Sequence, residues 1–294
     1  MKEVLEILSR EIYKNISSID NLNEIQEIRI KASKPLIAVV NNKEIIFGYS
    51  ATVEDIKNML QKISNYSLYA FEEEIKQGYI TIQGGHRIGL AGQCVIENGT
   101  IKTIKNIASL NIRICREVIG CSNSIMQALV KNGAVLNTLI ISPPKCGKTT
   151  LLRDIARNIS NGNLNLEIIG KRTVVVDERS EIAACYNGIP QMNVGIRTDV
   201  YDNCIKSEGM MIAIRSMGPE VLICDEIGTY KDMEAMLMAY NSGVNIIATM
   251  HGKSIEDIYN RPIFNEILSN KIINNIVVLS NREGVGTLEG IYTI

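Results

Sequence analysis

Residues Thr138–Arg157 read TLIISPPKCGKTTLLRDIAR. A short apolar run, Thr138–Ser142, enters a loop carrying Pro143, Pro144 and Gly147. Apolar residues then recur at Leu151, Leu152, Ile155 and Ile159, the spacing of one helix face. Strand, loop and helix in that order bring free backbone N–H groups and the positive end of a helix to one point, which suits phosphate. Lys148 is placed to reach β- and γ-phosphates, and Thr149 to offer its hydroxyl to Mg²⁺. The usual pattern, G-x-x-x-x-G-K-[ST], begins with glycine, where this chain has Ser142. Serine serves there if its backbone avoids positive φ. Pro143 and Pro144 stiffen the loop but have no N–H to donate. ATP binding therefore falls to the amides of Lys145, Cys146, Gly147, Lys148, Thr149 and Thr150. The Lys145 side chain either adds charge to the loop or is simply solvated.

Outward from this stretch, strand and helix signals alternate. Strands are expected at Thr173–Asp177, Val221–Asp225, Asn245–Met250 and Asn275–Leu279, all short and rich in Ile and Val. Such runs between helices indicate a mostly parallel sheet covered on both faces. In sheets of this kind, sites form beyond the carboxyl ends of the strands. VLICDEIGTY ends an apolar strand in Asp225 and Glu226. Asp225 suits Mg²⁺, and Glu226 suits the base that polarises water. VVVDERSEI places Asp177, Glu178 and Glu181 after another strand, and Glu178 competes with Glu226 as the base. ATMHGKS puts His251 at a strand end, either as a structural histidine or as a sensor of the γ-phosphate. Arg215, just upstream of the Asp225 strand, is a further sensor candidate.

The 294 residues suffice for two ordinary domains, and 46% hydrophobic content supports a sizeable core. Lys plus Arg (31) nearly balances Asp plus Glu (32), which argues against a general nucleic-acid coat. Seven cysteines, none in C-x-x-C spacing, read as free thiols in a reducing cytosol. Two histidines far apart argue against a zinc site. No apolar run approaches the roughly 18–20 residues of a membrane span.

Residues 1–110 read as a small α+β domain. Val4, Leu5, Leu8 and Ile12 mark one face of an amphipathic N-terminal helix that packs on its own domain. Alternation marks strands at Glu27–Ile30 and Tyr79–Gln83, and a helix is expected from Thr52 to Ile63. GGHRIGLAGQ reads either as a hairpin loop or as a backbone surface open to a partner. Residues 111–125 read as a connector, and 126–294 as the α/β domain.

The stretches EIRIKASKPL, GGHRIGLAGQ, IRICREVIG, GKTTLLRD, VVDERSEIA, RTDV, MMIAIRSMGPEVLICDEIG and ATMHG, in this order and spacing, resemble the stage III sporulation protein AA family. The likeness covers nearly the whole chain. That family is similar to the type II/IV secretion ATPases of the RecA-like P-loop class. The resemblance implies an α/β, RecA-like P-loop ATPase domain with a mostly parallel sheet, preceded by a smaller α+β N-terminal domain. It also implies a homohexameric ring motor. Such a ring works in the cytoplasm, recruited peripherally to the mother-cell side of the forespore membrane by integral membrane proteins of a secretion-like channel. The family usually has glycine at Ser142 and often at Lys145. Secretion ATPases also use arginines of the N-terminal domain and connector to reach the γ-phosphate. Here these would be Arg87, Arg113 and Arg116, in a segment (Lys76–Arg116) with six basic residues against one acidic, Glu97.

The expectation is therefore a Mg²⁺-dependent ATPase motor of endospore formation. The altered loop keeps a rival in view, a nucleotide-gated docking scaffold with little turnover. A nucleic-acid motor fits less well, since three Phe and no Trp leave little for stacking on bases.

Overall fold

The computed structural model describes residues 1–64, 71–144 and 146–294, without the side chain of Glu73; Lys145 lies outside the described residues. Two compact units divide the chain, Met1–Arg116 and Glu117–Ile294. The division falls inside the stretch expected to be a connector. Asn111–Arg113 finish a strand of the first unit, and the helix Asn123–Leu129 packs into the core of the second.

The first unit is built on a six-stranded sheet in the order Lys43–Ser50, Pro35–Val40, Ile25–Lys31, Thr100–Arg113, His86–Glu97, Tyr79–Ile82. Every neighbouring pair is antiparallel. The glycine-rich stretch is mostly strand: the turn is confined to 83–85, and His86–Glu97 runs on through Gly89 and Gly92. Gly92 lies at a register shift, where a Cβ would stand 2.6 Å from the Lys105 carbonyl oxygen. Only glycine fits that bulge.

The N-terminal segment is two helices, Lys2–Ile7 and Arg10–Ser17, rather than one. Leu8 (ψ 147°) and Ser9 (ψ 160°) are extended between them. The cause is tertiary. Ser9 donates its hydroxyl to Asp55 Oδ1 at 2.5 Å, and Val4, Leu8, Ile12 and Ile16 are still all buried. Asp55 belongs to the helix Val53–Ile63, where Thr52 and Asp55 form a reciprocal capping box. Its Oδ2 also accepts from Tyr49 Oη (2.6 Å), the Thr52 N–H (2.8 Å) and Thr52 Oγ1 (2.7 Å). Burial alone would raise this carboxyl, but these donors outweigh it and hold it below the ordinary Asp value.

The second unit is a seven-stranded sheet in the order Thr198–Asp202, Thr173–Asp177, Val221–Cys224, Asn245–His251, Thr138–Ser142, Asn275–Ser280, Thr287–Thr293. All its pairs are parallel except the last, so the expected mostly parallel sheet is present. Both faces are covered. Leu139, Ile141, Val174, Val176 and Leu222 pack with residues of the helices Lys206–Ser216 and Tyr230–Asn241. Ile140, Val175, Ile223 and Ile247 pack with those of Lys148–Asn161 and Asn123–Leu129. The two edge strands escape the sequence pattern, because their residues are half-exposed and polar-interrupted. No described helix is long and apolar enough to cross a membrane.

Replacing Asp55 with Ala strands three hydroxyls and the Thr52 N–H, and should cost about 2–3 kcal/mol in urea unfolding. Because the folded-state pKa is depressed, the contribution is present above the unfolded value of about 4 and is lost as pH falls below it. The stability gap between wild type and Asp55→Asn should therefore narrow in acid.

Candidate functional site

The chain leaves the Thr138–Ser142 strand, makes the loop, and enters the helix Lys148–Asn161 at Gly147. Gly147 has φ 75°, a left-handed value that glycine adopts without strain. Ser142 is different. It is the last residue of its strand, is fully buried, and is not among the residues with positive φ. Its hydroxyl donates to the Pro143 carbonyl at 3.1 Å. The backbone here does not require glycine, so the serine does not distort the loop. Cys146 is buried, with Sγ 3.7 Å from the Pro144 carbonyl; Pro144 is exposed, and Thr149 and Thr150 are half-buried.

Strand register builds the rest. Ser142 lies opposite His251 and Ile141 opposite Met250 on one side of the Asn245–His251 strand; Ala248 lies opposite Cys224 on the other. Asp225, one step beyond Cys224, thereby comes beside Thr249. Thr249 is fully buried, and its hydroxyl donates to Asp225 Oδ1 while accepting the Glu226 N–H at 2.9 Å. Asp225 Oδ2 accepts from Thr149 Oγ1 at 2.9 Å. Glu226 has φ 54°, and the Ile227 N–H donates to the Thr249 carbonyl at 2.9 Å. A glutamate held in left-handed backbone is strained, and such strain collects at functional sites.

A chain of polar contacts crosses the site. Lys148 Nζ is 2.9 Å from His251 Nδ1, and His251 Nε2 is 3.0 Å from Glu226 Oε1. Lysine is only a donor, so Nδ1 accepts and Nε2 carries the ring proton, which it donates to Glu226. Arg179 Nη1 donates to the other oxygen, Glu226 Oε2, at 3.1 Å. Burial lowers the Lys148 pKa, opposed by the charges of Asp225 and Glu226.

The other acidic loop is held differently. Asp177 accepts the N–H groups of Glu181, Ile182 and Ala183 at 2.8–2.9 Å and so closes a turn. Burial pushes its carboxyl up to about 6 despite those donors. Glu178 forms a short ion pair with Lys206, whereas Glu226 joins the Lys148–His251 chain. Buried Arg153, on the helix that follows the loop, donates to the Ile182 carbonyl (2.6 Å) and the Glu181 carbonyl (2.8 Å). Arg215 is exposed in the last turn of Lys206–Ser216. That helix starts beside Glu178 and leads back to the start of the Val221–Cys224 strand, so Arg215 is carried away from Asp225 and does not join the cluster.

Arg87, Arg113 and Arg116 belong to the first unit. Arg87 and Arg113 are register partners on adjacent strands. The Arg87 guanidinium lies 3.9 Å from the centroid of the Tyr79 ring, a cation–π geometry. Arg116 donates to the Ile25 carbonyl, and Arg113 is exposed.

The family model for sporulation stage III, protein AA matches residues 1–294. Stage III sporulation protein AA of Bacillus subtilis (strain 168) is 45% identical over 294 residues, covering 99% of this chain and 95% of its own. Among solved structures, the pilus retraction motor PilT with bound ADP superposes with a TM-score of 0.63 at 15% identity, over 96% of this chain and 82% of that one. The ATPase DotB of Legionella pneumophila gives 0.60 at 15% identity, over 94% and 77%. The fold is thus shared with PilT and DotB: an antiparallel-sheet unit followed along the chain by a mostly parallel α/β unit.

Sequence reading passed over Thr249 and Arg179, although ATMHG and VVVDERSEI contain them. Thr249→Val removes a donor from Asp225 and an acceptor from Glu226 at a fully buried position. It should cost about 1–3 kcal/mol in urea unfolding, most of it recovered by Thr249→Ser.

Proposed function

The chain belongs to the sporulation stage III protein AA family, and on that premise we propose that it is an ATP-hydrolysing motor. The observation that carries this reading is the convergence of Lys148, Thr149, Asp225, Glu226 and His251 at the carboxyl ends of three adjacent strands. The loop amides and the Lys148 ammonium bind the β- and γ-phosphates. Thr149 and Asp225 are an oxygen pair suited to Mg²⁺, an ion held by one or two carboxylates together with substrate phosphates rather than by a protein cage. Mg²⁺, when bound, supplies charge that neutralises the phosphate oxygens. Glu226 orients water toward the terminal phosphate, and His251 holds Glu226 in place.

We extend the proposal to a homohexameric ring. Within it, an arginine from among Arg87, Arg113 and Arg116 contacts the terminal phosphate, and domain motion transmits the energy of hydrolysis. In this reading, integral membrane proteins of a sporulation channel recruit the ring to the mother-cell side of the forespore membrane. The reading is supported by family membership and by a fold shared with a pilus retraction motor. The small aromatic content gives nucleic acid little to stack on.

Phosphate release by the purified chain tests the chemistry. Wild type should turn over ATP with Mg²⁺. Lys148→Ala should lose nucleotide affinity, whereas Glu226→Gln should bind ATP yet lose about 10²–10⁴-fold in turnover. A wild type that binds ATP but releases phosphate no faster than both variants is a docking scaffold and not a motor. If arginines act across subunits, specific activity should also rise with protein concentration. Strict proportionality of total activity down to the monomer would remove that role.

A further inference from the structure

Arg179 has no part in the chemistry described so far, yet its loop is built to hold it. The turn after Thr173–Asp177 is fixed at four points. The Asp177 carboxylate takes three N–H groups of residues 181–183. Ser180 adopts φ 53° and donates its hydroxyl to Asp202 at 2.6 Å. The Asn203 N–H bonds the Asp177 carbonyl at 2.9 Å. Arg153 ties the carbonyls of Glu181 and Ile182 to the helix that starts at Lys148. The backbone beneath Arg179 is thus fastened to the same helix whose N-terminus forms the phosphate loop. Its guanidinium, on a side chain 65% exposed, reaches Glu226 Oε2.

Both oxygens of Glu226 are therefore occupied, Oε1 by His251 and Oε2 by Arg179. One donor on each oxygen leaves each a second lone pair, but the Arg179 cation fixes the orientation of the carboxylate and competes with water for Oε2. Lys148 is likewise occupied by His251. We propose that Arg179 is a triphosphate-sensing positioning residue: it holds Glu226 idle until a terminal phosphate draws it away and frees the carboxylate for water. The inference rests on the ATPase reading above. Arginine's planar fork matches phosphate oxygens, and a triphosphate offers more negative charge than one carboxylate. An exposed ion pair is weakly held, so the exchange is easy. A nucleoside diphosphate lacks the group that draws Arg179, and should leave it on Glu226.

The test uses the full chain with Mg²⁺, comparing wild type, Arg179→Ala and Arg179→Lys. It reads phosphate release and the dissociation constants of ADP and of a non-hydrolysable ATP analogue. Arg179→Ala should weaken the analogue at least fivefold, with ADP affinity within twofold and an unchanged unfolding transition, while kcat stays at or above the wild-type value because Glu226 is no longer held. Arg179→Lys, which keeps the charge but not the fork, should fall between. Equal weakening of ADP and analogue, or a tenfold or greater fall in the kcat of Arg179→Ala beside a wild type that hydrolyses ATP, overturns the proposal. If wild type binds the analogue without turnover, the ATPase reading fails and the analogue-to-ADP ratio alone decides the role of Arg179. A wild type that binds neither nucleotide overturns both.

Discussion

The hydroxyl of Thr249 joins the parts of the site. It is buried in the middle of the seven-stranded sheet, on the strand between Thr138–Ser142 and Val221–Cys224. Its bonds to Asp225 and to the Glu226 N–H set both acids against the Asn245–His251 strand, whose other edge positions the loop. Parallel pairing is rigid in this respect, because slipping one residue would turn every inward side chain to the opposite face. Both faces of the sheet are packed, so slippage is blocked on each side. The placement of Thr149 against Asp225 and of His251 against Glu226 follows from that register.

Asp55 plays a comparable part in the first unit, as the shared acceptor of Ser9, Tyr49 and Thr52. It joins the N-terminal helices to the capping box of the next helix, at the cost of breaking one helix into two. In both units a buried carboxylate with several donors organises the surrounding backbone. Asp154 does this again, accepting from the Gly120 and Ser122 N–H groups, the Ser122 hydroxyl and Arg157, and so fixes residues 120–122 to the helix Lys148–Asn161.

Much of the second unit was legible in the sequence. Strands at Thr138–Ser142 and Thr173–Asp177 lie where their apolar runs end, since a strand buried on both faces has to be apolar throughout. The edge strands Thr198–Asp202 and Thr287–Thr293 were not legible, because an edge strand mixes exposed and half-buried positions. The break at Leu8–Ser9 was invisible too, since its cause, Asp55, lies 46 residues away. The altered first residue of the loop became interpretable only with its backbone conformation: Ser142 is strand, not turn.

The order of strand, loop and helix and the residue types at each strand end can be read along the chain. Those types are the ones the proposed chemistry uses: a lysine and a threonine after one strand, two acids after another, a histidine after a third. Local pattern suffices for this because burial and helix spacing are written residue by residue. Which of these ends meet depends on how the strands are ordered in the sheet. Strand order put Asn245–His251 between the other two and gave Glu226, not Glu178, the contact with His251. It also carried Arg215 away and brought Arg179 in. Pairing between distant segments depends on packing of the whole sheet, which no local stretch encodes.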